Sequence, residues 1–238
     1  MTEQPTTATV GEIVAADLRR AAIFDRYGID FCCNGWRTLE DACAAAAADT
    51  MDVVRALDAL PNAPVAADDN PAQWPIATLI DHIVSTHHAY VRAAMPTIAR
   101  HVAKLVKVHG GRHPELAHVE ARFAAVCGEL EQHLLKEERV LFPYVRDLAK
   151  DGGCRGGRSP FGSVENPIRM MEREHADAGD AMRDIRQLTR GYTTPEDGCR
   201  TYDIAMAELL EFEADLHRHV HLENNVLFPA AIRLERQW

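Results

Sequence analysis

The sequence contains no apolar run long enough to cross a membrane and no cluster of basic residues. Its longest apolar stretch, ACAAAAA at Ala42–Ala48, is far shorter than the roughly 20 residues that a transmembrane helix needs. The first residues, MTEQPTTATVGEIV, lack a basic region followed by an apolar one, so we expect no secretory signal. The net charge of −10 argues against binding to nucleic acid, whose phosphates attract clustered lysine and arginine. We therefore expect a cytoplasmic protein that binds neither membranes nor nucleic acid.

Cysteines are too few and too irregularly spaced to form a disulfide framework. The 238 residues include six of them, and Cys32 and Cys33 are adjacent. Disulfide scaffolds are short secreted chains with dense, regularly spaced cysteines, so a reducing compartment is the expectation. Aromatic residues make up only 6% of the chain, whereas histidine occurs 12 times. The positions of the histidines are therefore the first feature that needs an explanation.

Glycine and proline divide the chain into a small N-terminal part and four long stretches. Residues Leu60–Pro75 hold four prolines and no helical period, which predicts a linker. Shorter breaks fall at His109–Pro114, Lys150–Gly162 and Arg190–Gly198. The long stretches, roughly 76–108, 115–149, 164–189 and 196–235, are rich in residues that favour helix. We predict an all-α fold: a small helical domain at 1–60, a linker at 61–75 and a four-helix bundle at 76–238.

One motif occurs twice, at a constant offset of 86 residues. HLLKEERVLFP at His133–Pro143 aligns with HVHLENNVLFP at His219–Pro229, so that histidine meets histidine and Glu137 meets Glu223. In both copies the histidine and the glutamate are four residues apart and therefore neighbours on one helix face. That face carries apolar residues at helical spacing on both sides, which predicts that both pairs point into the bundle. His217 and His221 share a more polar face, with Glu213 and Asn224, and we expect them to be solvated.

The other two long helices each offer one inward histidine. In the third, His175 interrupts an apolar seam formed by Ile168, Met171, Ala178, Met182 and Ile185. In the first, His82, His87 and His88 are candidates, and periodicity alone leaves the choice between His87 and His88 open. The spacing of 87 residues from His88 to His175 resembles the repeat and favours His88.

Two buried His/Glu pairs at equivalent positions predict a metal site. A buried carboxylate without compensation costs several kcal/mol or becomes protonated, and a cation between the two pairs removes that penalty. Imidazole with carboxylate suits non-haem iron, with zinc, manganese or copper as alternatives. Two carboxylates at the centre of a duplicated arrangement can bridge two metal ions about 3.5 Å apart. The alternative is a set of hydrogen-bonded core histidines without metal.

The motifs resemble those of a known family. The two copies of the repeat and MMEREHADAG at Met170–Gly179 resemble the hemerythrin-like domain, an up-down four-helix bundle. The segment YGIDFCCNGWRTLEDAC at Tyr27–Cys43 is similar to the vicinal-cysteine domain of the RIC family, the di-iron proteins that repair iron–sulfur clusters. The two domains, in this order, cover nearly the whole chain.

The resemblance implies a non-haem centre of two iron ions with oxo and carboxylate bridges. The pattern LIDHI…H selects His88 in the first helix, although this chain has HHAYV where the family often has YHDRH. Glu129 and Glu174 are implied as outer partners of the ligands or as part of an iron path, the alternative being ordinary surface glutamates. The implied ligands are His88, His133, His175 and His219, with Glu137 and Glu223 as bridges.

The resemblance also implies a function. Such proteins restore clusters damaged by nitric oxide or oxidants, by donating iron to damaged iron–sulfur proteins or apo-cluster acceptors, with chemistry on nitric oxide at the centre. The alternative is reversible binding or sensing of O2 or nitric oxide, as in other hemerythrin-like domains. Oxygen-carrying hemerythrins typically have five histidine ligands, so four imply a more open and labile centre that favours iron release. A metal-free scaffold would leave two inward glutamates without partners.

The adjacent cysteines lie in the turn sequence DFCCNG, in which Asn34-Gly35 is a strong turn dipeptide. Neighbouring cysteines rarely bond to each other, because the resulting ring strains the peptide. Cys32 and Cys33 either contact a redox partner, cluster or metal ion, or pack as an inert buried turn, and the resemblance favours the first role. Apolar surface near Cys32 could be buried in a homodimer. No spacing signal marks the remaining cysteines, Cys43, Cys127, Cys154 and Cys199.

Overall fold

The computed structural model describes residues 8–61, 66, 68, 70–150 and 161–237, and within these ranges the chain is helical without a β-strand. An isolated bridge joins Thr9 to Thr38. The all-α prediction is confirmed. Residues 62–65, 67 and 69 of the predicted linker lie outside the described residues, and so do residues 151–160 of the predicted break at Lys150–Gly162, with Cys154.

Four short α-helices form the N-terminal part, and side chains cap three of their starts. The hydroxyl of Thr9 accepts from the Glu12 N–H while the Glu12 carboxylate accepts from the Thr9 N–H, which is a complete capping box. Thr38 and Asp49 cap the third and fourth helices in the same way, each accepting from the N–H three residues ahead. The helices are α1 (Val10–Ala16), α2 (Ala21–Arg26), α3 (Leu39–Ala45) and α4 (Thr50–Asp58), with 3-10 turns at Leu18–Arg20 and Pro71–Gln73.

The predicted long stretches are helical within a few residues of their predicted bounds, and three of them contain a π-helical turn. The first consists of α5 (Ile76–His82), a π turn (Ile83–His88) and α6 (Ala89–His109). The second consists of α7 (Glu115–Lys136), a π turn (Glu137–Leu141) and α8 (Phe142–Leu148). The third is the uninterrupted α9 (Glu165–Leu188). The fourth consists of α10 (Arg200–Leu222), a π turn (Glu223–Leu227) and α11 (Phe228–Glu235).

The chain divides into two compact units, and the second is built from the long helices. It comprises His82–Tyr144 and Asn166–Leu216. Pairs of contacts within it set the helix directions. His87 pairs with Asp215, whereas His101, later in the first long helix, pairs with Glu208, earlier in α10. In the same way Arg122 and then His133 of α7 pair with Asp184 and then Glu174 of α9. At its centre the rings of Phe123 and Phe212 meet edge to face at 5.4 Å. This unit therefore holds antiparallel helices around one apolar core, as in an up-down bundle.

The other unit joins the N-terminal helices to later parts of the chain. It comprises Met1–Asp81, Val145–Glu165 and His217–Trp238, as far as these are described. Within it the carboxylate of Glu235 accepts hydrogen bonds from the Val164 N–H and the Ser163 hydroxyl. The side chain of Asn225 donates to the carbonyls of Phe31 and Cys32. Because of such contacts, the compact units cut across the sequence order of domain, linker and bundle, and the boundaries at 60 and 75 stay a prediction.

No helix among the described residues is both long enough and apolar enough to cross a membrane.

Candidate metal centre

The three π turns occur at the predicted ligand positions. One contains His87 and His88, and the others begin at Glu137 and Glu223. Their bonds span five residues: the N–H of Phe142 donates to the carbonyl of Glu137, and the N–H of Phe228 donates to that of Glu223. Single π turns within α-helices are rare, and those that do occur are often found at functional sites. The periodicity of the sequence did not reveal them.

A sequence signal for two of these π turns is the proline that ends each copy of the repeat. Pro143 and Pro229 have no N–H, so neither can donate to the carbonyl four residues earlier in an α-helical pattern. Those carbonyls belong to Arg139 and Asn225, which lie inside the π turns. The first long helix has no proline at the corresponding place, so its π turn has another cause.

In the second unit, four of the predicted ligands lie together: three histidines and the carboxylate of Glu137. The Oε2 atom of Glu137 lies 3.4 Å from Nε2 of His88 and 3.4 Å from Nε2 of His133. The Nε2 atoms of His133 and His175 are 3.0 Å apart. All four side chains are at most 2% exposed. The donor atoms of His133, Glu137 and His175 lie within 4.8 Å of one another, a spacing that suits ligands of one ion.

Carboxylates hold the outer nitrogens of two of these imidazoles. Nδ1 of His88 lies 2.7 Å from Oε1 of Glu138, and Nδ1 of His133 lies 2.9 Å from Oε2 of Glu174. A ligand histidine normally donates its second N–H to such an acceptor, which leaves Nε2 as the lone-pair donor and fixes the ring. Glu174 had been predicted as an outer partner from the resemblance, whereas Glu138 had not.

Each of these carboxylates is also paired with a basic side chain. Arg92 lies 2.8 Å from Glu138, and Lys136 pairs with Glu174. Burial alone would raise the pKa of both carboxyls, but the hydrogen bonds from the histidines and from Arg92 or Lys136 lower each pKa below its ordinary value. Both groups are therefore carboxylates at neutral pH. Glu129, the other predicted outer partner, has an exposed side chain, and no hydrogen bond links it to a ligand among the described residues.

The neighbouring histidine of the first helix has a different partner. Nδ1 of His87 lies 2.9 Å from Oδ1 of Asp215, and both side chains are buried. Sequence periodicity left His87 and His88 as alternatives. In the structure it is His88 that contacts Glu137.

In the other unit, which contains the N-terminal helices, the histidine and the glutamate of the second copy are also in contact. Nε2 of His219 lies 3.1 Å from Oε1 of Glu223, and both side chains are at most 1% exposed. The pair lies where α10 passes into its π turn, as His133 and Glu137 do where α7 passes into its own. Each copy thus presents one buried imidazole and one buried carboxylate.

The prediction that His217 and His221 are solvated is wrong. His221 is fully buried, with its ring 5.7 Å from that of Phe31, and burial lowers its pKa to about 4. His217 is partly buried, and its Nδ1 lies 2.7 Å from Oδ1 of Asp25. Phe31, in the loop after α2, and Asp25, in α2, cover this polar face. The periodicity of α10 carries no information about residues so far away in the sequence.

The vicinal cysteines occupy a loop ordered by Asp30. Its Oδ1 accepts from the backbone N–H groups of Cys32, Cys33 and Asn34, an arrangement typical of an Asx turn. The two Sγ atoms are 3.9 Å apart and both thiols are free. Hydrogen bonding with Cys33, together with burial, raises the pKa of Cys32 well above its ordinary value. Cys32 is therefore a thiol at neutral pH, and the half-buried Cys33 is the more accessible of the two.

The helix end that carries Glu223 also holds this loop. Asn224 and Asn225, which follow Glu223, donate to the carbonyl of Cys32 at 3.2 Å, and Asn225 also donates to that of Phe31. The fit is close, because a Cβ atom at Gly35 would lie 2.2 Å from Oδ1 of Asn225. The sequence reasoning did not predict this anchor, although an Asn-Asn pair next to a ligand glutamate could have prompted it.

The donor set fits iron. Imidazole nitrogens and carboxylate oxygens are the ligands of non-haem iron, and the cluster of His88, His133, Glu137 and His175 contains no thiolate of the kind that softer ions prefer. Buried glutamates need a cation or a proton, and the carboxylates behind the histidines favour the neutral imidazole tautomer that a metal requires.

Comparisons with known proteins agree with this chemistry. The family model described as the hemerythrin HHE cation binding domain matches residues 79–231. A model described as a domain of unknown function, DUF542, matches residues 6–61. The iron–sulfur cluster repair protein YtfE of Yersinia pseudotuberculosis serotype O:1b is 33% identical over 227 residues, which cover 95% of this chain and 97% of that protein. The protein of the same name from Yersinia pestis matches with the same identity and coverage.

The matches confirm the resemblance noted in the sequence, and they extend over both parts of the chain. The chain belongs to the family of these iron–sulfur cluster repair proteins, with a hemerythrin HHE cation binding domain as its larger part.

Proposed function

We propose that this chain is a di-iron protein that repairs iron–sulfur clusters damaged by nitrosative or oxidative stress in the cytoplasm, by donating iron. The observation that carries the proposal is the buried cluster of His88, His133, His175 and Glu137, with carboxylates behind two of its imidazoles. The names and the near full-length similarity of the relatives support the repair function.

In this proposal Glu137 and Glu223 bridge two iron ions, and the four histidines are terminal ligands. The repeat supports the second half of the site, because His219 and Glu223 repeat the sequence and the internal contact of His133 and Glu137. With about two imidazoles and two shared carboxylates, each ion keeps open positions for an oxo bridge or for a small ligand such as nitric oxide or O2. Iron bound there supplies a redox-active ion, and in donation that ion is the cargo.

The residues around the proposed site would control release. Glu138 and Glu174 hold the ligand imidazoles from outside, while their side chains remain 26% and 28% exposed and paired with Arg92 and Lys136. Protonation or rotation of either carboxylate would free an imidazole to turn away from the ion. Each of these carboxylates contacts both solvent and a buried histidine. We therefore propose that iron leaves the site past Glu138 and Glu174.

The vicinal cysteines are proposed to meet the acceptor or a reductant. Cys33 is partly exposed and its Sγ lies 3.9 Å from that of Cys32, so a partner that reaches one thiol is near the second. Damaged iron–sulfur proteins and apo-cluster acceptors are the proposed partners. A homodimer that buries the surface near Cys32 remains a prediction.

The decisive experiment measures the iron content and the absorption spectrum of protein purified without oxygen, followed by transfer to an apo-cluster acceptor. We expect about two iron ions per chain, an oxo-bridge band in the near-ultraviolet after oxidation, and loss of iron to the acceptor. A folded protein that takes up no iron would overturn the metal site. A loaded protein that binds O2 or nitric oxide reversibly and keeps its iron would favour a binding or sensing function instead.

A double variant separates the metal site from the cysteines. Cys32→Ser with Cys33→Ser should keep the iron content and the spectrum, but should slow transfer to the acceptor. Unchanged transfer in this variant would show that the two cysteines only pack the loop.

A further inference from the structure

A second pair of reactive groups lies in the bundle unit, where α6 ends and α10 begins. Sγ of Cys199 is 3.3 Å from Nε2 of His109, although the two residues are 90 positions apart in the sequence. Cys199 is exposed, whereas His109 is only 3% exposed. Nδ1 of His109 has no hydrogen-bond partner among the described residues, so the ring is directed only towards the sulfur.

The backbone strengthens this arrangement. Cys199 immediately precedes α10, a helix of 23 residues, and its carbonyl accepts the N–H of Tyr202 at 2.7 Å. The free N–H groups of a helix N-terminus carry partial positive charge and stabilise an adjacent anion. The hydrogen bond with His109 and then the N–H groups of Tyr202 and Thr201 lower the pKa of Cys199 to about 7. Cysteines in such electropositive, exposed places are the reactive ones.

The charged groups around the pair do not oppose a thiolate. Asp197, two residues before Cys199, is already paired with His113 at 2.9 Å and with Arg112 at 3.1 Å. The ring of Tyr202 meets those of His109, at 5.5 Å, and His113, at 6.0 Å, edge-on, and the two histidine rings are 6.4 Å apart. Glu115 at the start of α7 is paired with the same His113. His109 is therefore the imidazole that contacts the sulfur, and His113 serves the surface carboxylates.

We propose that Cys199 is a site of reversible mixed-disulfide formation with low-molecular-weight disulfides, and that His109 holds its thiolate and protonates the departing thiolate. The Cys199 thiolate attacks one sulfur of R–S–S–R, so that a new S–S bond forms between Cys199 and that sulfur while the S–S bond of the reagent breaks. Cys199 is oxidised to the disulfide level, the released sulfur is reduced to a thiolate, and that thiolate takes the proton of the His109 imidazolium. Excess thiol reverses the exchange.

The other described cysteines differ from Cys199 in their burial and, for three of them, in the direction of their pKa shift. Burial raises the pKa of Cys43, and it raises that of Cys127 to about 11. Hydrogen bonding with Cys33 and burial raise the pKa of Cys32. Cys33 is half-buried, so its reaction has to be followed separately. We therefore expect Cys199 to react faster than Cys32, Cys43 and Cys127 at neutral pH.

The test measures mixed-disulfide formation with oxidised glutathione at each cysteine of the full chain. The reduced protein is mixed with the disulfide across a pH series, quenched with acid and mapped by mass spectrometry. The rate at Cys199 should level off above an inflection near pH 7, as its pKa of about 7 requires. Cys127 should remain unmodified throughout. An inflection near the ordinary thiol value of 9.0, or faster reaction at Cys127, would overturn the proposal.

His109→Phe, which keeps a ring in the buried position, tests the role of the imidazole. Its inflection should move up by about one pH unit or more, so that the rate at pH 7 falls. A thiolate of higher pKa is intrinsically more nucleophilic, so the plateau rate at high pH should rise severalfold. The variant should therefore react more slowly than the wild-type protein at pH 7 and faster at high pH. A purely structural role of His109 would not produce this reversal.

His113→Gln is the matched control, because it removes a neighbouring imidazole that does not contact the sulfur. Its profile should coincide with that of the wild-type protein. If His109→Phe has the wild-type profile, or if His113→Gln shifts as far as His109→Phe, the assignment of His109 is wrong. If His109→Phe does not fold, the pH of the inflection in the wild-type profile still tests the proposal for Cys199.

Discussion

The two copies of the His/Glu repeat have the same buried His/Glu contact and the same π turn but different surroundings. At the offset of 86, Glu138 corresponds to Asn224, and Arg139 corresponds to Asn225. After the first copy, Glu138 holds the outer nitrogen of His88. After the second, Asn224 and Asn225 hold the carbonyl of Cys32 instead.

The difference shows that the ligand pair and its π turn are a unit whose flanking positions can acquire separate functions. A negative side chain is useful beside a ligand imidazole, because it accepts the second N–H. A neutral amide is useful beside a loop, because it donates to carbonyls without adding charge to a buried place. The position after the glutamate thus holds a histidine in the first copy, whereas in the second copy it and the following position anchor the vicinal cysteines.

The strongest test of the shared function removes the bridging carboxylate from each copy. Glu137→Leu and Glu223→Leu should each reduce the iron content from about two ions per chain to one or fewer, because each change removes one of the two carboxylates that are proposed to bridge the ions. Metal analysis of protein purified without oxygen measures this. Glu129→Leu, at an exposed glutamate of α7, should keep full occupancy. Full occupancy in both bridge variants would contradict the equivalence of the two copies.

The second test concerns the outer carboxylates. Glu138→Gln and Glu174→Gln should each weaken iron binding by about 10-fold to 100-fold, because the imidazole loses its charged acceptor. Competition with a chelator measures the affinity. Asn224→Ala, at the position equivalent to Glu138, should leave the affinity unchanged, since Asn224 contacts a loop carbonyl. An equal loss in Asn224→Ala would mean that the flanking positions of both copies serve the metal.

The third test addresses the cysteine loop. Asn225→Ala removes donors to the carbonyls of Phe31 and Cys32 and should lower the free energy of unfolding by about 1–3 kcal/mol. The loop should also open more often, so that Cys32 is alkylated faster. Denaturant titration and mass mapping measure the two effects. The equivalent change in the first copy, Arg139→Ala, is at an exposed side chain and should alter neither quantity.

The smallest effect is expected at His217, which lies two residues before the second copy and is not a proposed ligand. His217→Ala breaks the partly buried contact with Asp25, which should cost at most about 1 kcal/mol. Iron content should stay at the wild-type value. A loss of iron would show that α10 presents a different face to the metal.

Local patterns in the sequence were enough to predict the helices and the inward residues of the repeat. The end of α6, the start of α7 and both ends of α9 follow from strong helix formers between glycine and proline breaks, whereas the π turns within the long stretches were not predicted. The four-residue spacing of His133 and Glu137 within an apolar stripe predicted their burial, and both are buried. The same reasoning failed at His221, because the covering residue, Phe31, lies far away in the sequence.

The sequence by itself therefore determined the helices, the duplicated His/Glu pairs and the membership of the family, since backbone preferences and residue spacing act over short ranges. Only the tertiary structure decided which side chain each histidine meets: Glu138 for His88, Glu174 for His133 and Cys199 for His109. These partners are between 41 and 90 positions apart in the chain. Their meeting depends on how whole helices pack, and no pattern within a single helix encodes that.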